Sequence, residues 1–154
     1  MKILNIVKYP NPLLSQKSEP VTDFDKNLNK LIINMFNTMY KFGGIGLAGV
    51  QVGILKKIIV IDIEHKDEKF RSEVINPKII SFSSKTSVMT EGCLSVENKT
   101  YDVRRPDEVC VEYYTCDGKK HIIEAKGLLA KCFQHEIDHT NGITIVDCGV
   151  EVKK

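Results

Sequence analysis

A chain of 154 residues that is 42% hydrophobic and 27% charged has the make-up of one ordinary globular domain with a single core to bury. This excludes a disordered chain, a collagen-like repeat and a small disulfide scaffold. The balance of 22 Lys and Arg against 20 Asp and Glu, net +2, gives no electrostatic case for nucleic acid or an anionic membrane as the main partner.

No apolar run approaches the roughly 18 residues of a membrane span. The opening MKILNIVKYPNP lacks the apolar stretch and small-residue cleavage site of a signal peptide. The five cysteines, Cys93, Cys110, Cys116, Cys132 and Cys148, are odd in number and read as reduced thiols in the cytoplasm, with one or two carrying chemistry. No repeat, low-complexity block or linker divides the sequence, so residues 1–154 read as one domain.

In chain order, the first twenty residues are rich in Pro, Asn and Ser and read as an irregular arm. Leu28, Leu31, Ile32, Met35, Phe36 and Met39 recur at three- and four-residue steps and predict a helix over 24–42. Thr22 or Asp23 would cap it and Gly43-Gly44 would stop it. Strands are predicted at 57–63, 73–82 and 85–90, and at 108–115 and 120–125 on either side of an Asp117-Gly118 hairpin turn. A second helix is predicted over 127–139, with Leu128, Leu129, Cys132, Phe133 and Ile137 apolar and Asn141-Gly142 ending it. The last twelve residues read as a strand and a loose tail. The sum is an α+β domain: mainly antiparallel sheets packed around a central helix carrying HEIDH, with one further amphipathic helix near the amino terminus.

Three segments carry chemistry. In HEIDH, His135 and His139 lie four apart on one helix face and can aim two imidazoles at one metal ion. Glu136 points about a quarter turn away, so it can reach a water at that metal and act as a base. Two histidines leave a metal short of ligands. A zinc protease of this motif would find a Glu or His downstream; only twelve residues follow Gly142, with no histidine and one glutamate, Glu151, which weakens that reading. A cysteine is the other strong candidate. Cys132 lies one turn before His135, and Cys93 lies in EGCLS; composition does not choose between them. In GGIGLAGVQVG, residues 43–53, Gln51 is the sole long polar side chain among five glycines. The segment is either a tight helix-to-strand connection with a solvated glutamine or a substrate-binding edge with an amide donor.

Taken together, GIGLAGVQ at 44–51, EGCLS at 91–95 and HEIDH at 135–139 resemble, in order and spacing, the GxGLAAxQ, EGCLS and HExDH motifs of the peptide deformylase family. The resemblance runs from the first helix to about Gly142. It implies that Cys93, His135 and His139 bind one divalent metal ion with water in the fourth position. Fe(II) would be the ion used in the cell, with nickel, cobalt or zinc able to substitute. It implies removal of the formyl group from N-formylmethionine at the start of new polypeptides, in the cytoplasm. By the same resemblance Glu136 is the proton carrier, and the Gln51 side chain and the Leu94 backbone N–H stabilise the developing oxyanion. Ile45, Met89, Leu128 and Cys132 would form the methionine pocket, and Gly46 would pair with the peptide backbone. Glu91 and Arg105 match an ion pair behind the ligands.

Two departures stand out. Gly49 replaces the family's second alanine, which should loosen the strand edge by up to about 1 kcal/mol. The long carboxy-terminal helix by which bacterial members contact the ribosome is lacking, so docking by that route is not expected. His65, His121, Cys110, Cys116 and Cys148 receive no role. The alternatives are a metallopeptidase using the same HExxH, and a metal-binding relative without turnover, against which the intact Glu136 and Gln51 argue.

Overall fold

The structure is a computed structural model describing residues 2–65 and 67–153. Helix α1 spans Lys26–Lys41. Its cap is Asp25, whose carboxylate accepts from the Leu28 N–H at 2.9 Å; neither Thr22 nor Asp23 takes that position. The helix buries Leu28, Ile32, Met35, Phe36 and Met39, and the chain leaves it through Gly43 at φ +73°.

Strand β1 (Gly46–Ala48) follows, then a 3-10 turn over Gly49–Val52. Next come β2 (Ile58–His65), β3 (Glu68–Phe82), β4 (Thr86–Cys93), β5 (Val96–Pro106), β6 (Glu108–Tyr114) and β7 (Lys120–Lys126). Helix α2 covers Gly127–Thr140, α3 covers Ile145–Cys148, and β8 is Val150–Glu151. One sheet has the order β1-β2-β3-β6-β7 and the other β4-β5-β8, with antiparallel pairing throughout the named strands. This is an α+β fold of mostly antiparallel sheets.

Strand β2 explains how the five-stranded sheet carries a helix on each face. Its sequence IIVIDIEH is apolar at consecutive positions because both faces are covered. Ile59, Ile61 and Ile63 pack in a core with Ala130, Cys132, Phe133 and Ile137 of α2. Ile58 and Val60 pack on the other side with Leu28, Ile32, Met35 and Met39 of α1. The three-stranded sheet has its own small core of Val96, Tyr101, Val103 and Ile145.

Two parts of the chain differ from expectation, and the amino-terminal arm is irregular as expected. Residues 96–106, in which no strand was expected, form β5, one of the longer strands. The last twelve residues are not a strand and tail: Thr144 caps the short helix α3, and only Val150 and Glu151 pair with β5. The amino-terminal arm is irregular yet tied down. It holds a 3-10 turn at Pro12–Ser15, buries Leu14, and donates from Val7 N–H to the Gln51 carbonyl and from Ser18 N–H to the Thr140 carbonyl.

Candidate metal centre

Helix α2 presents His135 and His139 one turn apart, ring centroids separated by 5.1 Å. Strand β4 ends on Cys93, whose Sγ lies 3.4 Å from His139 Nε2. One ligand atom from each of Cys93, His135 and His139 falls within 4.8 Å of the others, the one such group among the described residues. Cys132 is outside it, buried in the core beside Phe133.

The donor set fits a divalent cation. Burial, with His135 and Arg105 nearby, pulls the His139 imidazole down to about 3, so it is neutral as a ligand must be. His135 Nδ1 is paired with Glu91 Oε1 at 2.9 Å, which leaves Nε2 as its free nitrogen. Burial opposes charge on His135, but Glu136, Cys93 and Glu91 outweigh it and push this imidazole up. A cation at the three donors would answer the same negative field.

Glu136 is 4% exposed, with Oε2 3.9 Å from His135 Nε2 and Oε1 buried without a protein partner. Burial pushes its carboxyl up to about 7. A Cβ at Gly46 would lie 2.6 Å from Glu136 Oε2 and 3.0 Å from Cys132 Sγ, so the bare glycine backbone is what leaves room for the carboxylate.

Gln51 is 1% exposed, which removes the reading of a solvated glutamine. Its Oε1 accepts from the Ala48 N–H at 2.9 Å, and its Nε2 donates to Ser95 Oγ at 3.1 Å and faces Cys93 Sγ at 3.5 Å. The side-chain amide is therefore locked beside Cys93. Gly49, expected on a strand edge, instead starts the 3-10 turn that carries Gln51.

Behind His135 lies a buried ion network. Arg105 donates from Nε and Nη2 to the two Glu91 oxygens at 2.7 and 3.0 Å, and from Nη1 to Asp138 Oδ2 at 2.7 Å. Burial works against the Arg105 charge, but Glu91 and Asp138 hold the guanidinium above its ordinary value. Burial likewise raises Glu91, and His135 and Arg105 outweigh it to leave that carboxyl lowered. Asp138, Ser95 and Lys131 are members of this surround that sequence reasoning missed. Asp138 could have been flagged by its place inside HEIDH and Ser95 by its place at the end of EGCLS; Lys131 carried no comparable signal.

A cleft of about 1300 Å³ opens over the group, its walls including Ile45, Gly46, Met89, Leu128, Cys132 and Glu136. Leu94 also lines it, with its carbonyl accepting from Lys8 Nζ at 3.1 Å. Of the unassigned residues, Cys148 lies against the ion network, its Sγ 4.0 Å from Arg105 Nη2, and the others lie elsewhere. His65 ends β2, His121 stacks on Tyr113 along β7, and Cys110 sits on β6. Hydrogen bonding to Glu73, with burial, pushes the Cys116 thiol up to about 11. All five cysteines are free.

A thiol and two imidazoles converging beside a buried carboxylate, on the floor of a partly apolar cleft, are the parts of a metal-dependent hydrolase. The family model for polypeptide deformylase matches residues 3–154, which carries the resemblance past Gly142 through α3 and β8. A peptide deformylase of Rhizobium meliloti is 41% identical over 155 residues, covering 100% of this chain and 89% of that protein. The crystal structure of peptide deformylase from Ehrlichia chaffeensis in complex with actinonin is 39% identical with a TM-score of 0.93, covering 100% of this chain and 91% of that one. A Met-Ala-Ser-bound class I type b peptide deformylase from Acinetobacter baumannii is 31% identical with a TM-score of 0.91, covering 96% and 98%. The chain belongs to the peptide deformylase family, metal-dependent enzymes that remove the N-formyl group from the amino-terminal methionine of nascent peptides. No helix among the described residues is long and apolar enough to cross a membrane.

Proposed function

We propose that Cys93, His135 and His139 hold one divalent cation and that Glu136 carries the proton in deformylation. The observation that carries this reading is the convergence of three ligand atoms within 4.8 Å beside a buried carboxylate with one oxygen unpartnered. A divalent cation bound there supplies Lewis-acid polarisation of water and of the formyl oxygen. One sulfur and two imidazoles suit Fe(II), Ni(II), Co(II) and Zn(II) alike; Fe(II) is the ion we propose for the cell.

The protein's own groups do the rest. Glu136, with its carboxyl raised to about 7, has a proton affinity suited to taking a proton from water and returning it to the departing amine near neutral pH. As water adds to the formyl carbon, negative charge grows on the formyl oxygen. The Gln51 amide, held by Ala48 and Ser95 with Nε2 facing Cys93, is one donor to that charge, and the Leu94 backbone N–H is the second. Collapse expels the amine as formate is released.

Ile45, Met89, Leu128 and Cys132 form the pocket for the methionine side chain. Strand β1 ends its sheet, and its free side at Gly46 pairs with the peptide backbone as an added strand. The Met-Ala-Ser peptide bound to the Acinetobacter neighbour supports a short peptide as occupant. Glu91 and Arg105 orient His135. On this reading α2 is the central scaffold, α1 buttresses the opposite sheet face, and residues 1–154 act as one catalytic unit in the cytoplasm.

The test is formate release from formyl-Met-Ala by protein prepared anaerobically with Fe(II), with the free amine measured in parallel. Equal amounts of formate and Met-Ala are expected. Full metal loading with neither product, or cleavage of internal peptide bonds without formate, would overturn the reading.

A further inference from the structure

We propose that Lys131 is a positioning residue of the metal centre. It fixes the backbone pair Ser87–Arg105, and through Arg105 the carboxylate that orients His135. The inference rests on the ligand set proposed above.

The Lys131 side chain is 5% exposed. Its Nζ donates to the Ser87 carbonyl at 2.9 Å, to Ser87 Oγ at 3.0 Å and to the Arg105 carbonyl at 2.9 Å, which uses all three ammonium protons. Asp107 Oδ1, 3.7 Å away, supplies the counter-charge and itself accepts from the Ser87 hydroxyl. A buried ammonium is costly to desolvate, and an apolar side chain of similar volume would fill this space without that cost.

The partners give the lysine a function. Ser87 and Arg105 face each other across the β4–β5 ladder. Arg105 then forks onto Glu91 and Asp138, and Glu91 holds His135 Nδ1. Three residues of α2 therefore converge on Arg105: Lys131 on its carbonyl, Asp138 on its guanidinium, and His135 by way of Glu91. A guanidinium fork tolerates little displacement, so a shift of the Arg105 backbone passes to Glu91 and to the imidazole. Lys131 is itself among the residues lining the cleft, but its three ammonium protons are taken by Ser87 and Arg105, neither of which lines it, so the charge is turned to the β4–β5 backbone and not to substrate.

The experiment uses full-length protein loaded with Co(II). The thiolate-to-cobalt charge-transfer band and the d–d bands report the ligand set, and competition with a chelator gives the release rate. Lys131→Met keeps the length and removes the donors. We expect cobalt release about 10-fold faster, shifted d–d bands, and a lower kcat on formyl-Met-Ala with KM unchanged. Ser87→Ala, which removes one acceptor of three, should move release the same way by less. Glu91→Gln combined with Lys131→Met should release no faster than Glu91→Gln alone, because both act through one carboxylate. Wild-type release and spectrum in Lys131→Met, or in Ser87→Ala should the first not fold, would reduce Lys131 to packing and overturn the proposal, whatever the change in Tm. A double variant faster than Glu91→Gln alone would overturn it too. If wild-type protein lacks the charge-transfer band, the ligand set is at fault, and the proposal falls with it.

Discussion

Glu91 Oε1 and His135 Nδ1 stand 2.9 Å apart, both side chains at most a tenth exposed, and the carboxylate is clamped from behind by Arg105. The orientation of one proposed ligand is thus set by an ion pair on another element. Arg105→Met leaves two carboxylates, Glu91 and Asp138, without their cation. A loss on the order of 3–5 kcal/mol in chemical denaturation is expected, well beyond an exposed pair's contribution. Glu91→Gln keeps the volume and should weaken metal affinity about 10- to 100-fold by equilibrium dialysis.

Glu136 can be separated from the ligands. Glu136→Gln preserves shape and removes the proposed proton carrier. Metal content by elemental analysis should match the wild type, while kcat for formate release falls by about 10²- to 10⁴-fold. Retained turnover would assign the proton to another group.

The two cysteines near the histidines make a matched pair. Cys93 Sγ lies 3.4 Å from His139 Nε2, whereas Cys132 is packed among Phe133, Ala130 and Ile61. Cys93→Ala should lose bound metal and activity together. Cys132→Ala should keep metal and cost about 1 kcal/mol of core packing. Metal loss from the Cys132 variant with retention in the Cys93 variant would reverse the assignment.

These tests divide along what the sequence made legible. The helical periods of α1 and the four-residue spacing of His135 and His139 are local signals, readable without knowing what packs where. Cys93 stands 42 residues before His135, and nothing in that spacing shows that the end of β4 meets α2; the resemblance to a family supplied it. Strand β5, VENKTYDVRRP, escaped because it is polar, ends in proline and buries few positions: Val96, Tyr101, Val103 and Arg105. Its order comes from β4 and β8 on either side. Lys131 escaped for a related reason. Two of its three acceptors are backbone carbonyls, which leave no mark in a sequence, and a lysine in a helix ordinarily reads as the solvated face.

Gly49 stands where the family pattern has alanine, and its surroundings reverse the expected consequence. A Cβ there would lie 2.8 Å from the Ile54 carbonyl oxygen and 3.0 Å from that of Lys56. Glycine lets the 54–56 backbone press onto the turn that carries Gln51, sealed by the Ile54 N–H donating to the Gly49 carbonyl at 2.9 Å. Gly49→Ala, the change toward the family pattern, should therefore destabilise by about 1–3 kcal/mol and lower kcat, both read on one preparation by thermal unfolding and formate release. A more stable variant would mean that the 54–56 segment yields freely.

Gly46 faces a different neighbour. Its missing Cβ leaves space for Glu136 Oε2 and Cys132 Sγ, the flexible ends of side chains rather than backbone, and its φ lies outside the left-handed region. Gly46→Ala should fold and bind metal, since neither the ligands nor the ladder from β1 to β2 is touched. The added methyl displaces the Glu136 carboxylate and narrows the edge proposed to take the peptide. A fall in kcat of about 10-fold or more, with a raised KM for formyl-Met-Ala, is the expected steady-state result. A raised KM with unchanged kcat would separate the two effects: Gly46 would then serve the peptide edge alone, and the carboxylate would have room that the geometry denies it.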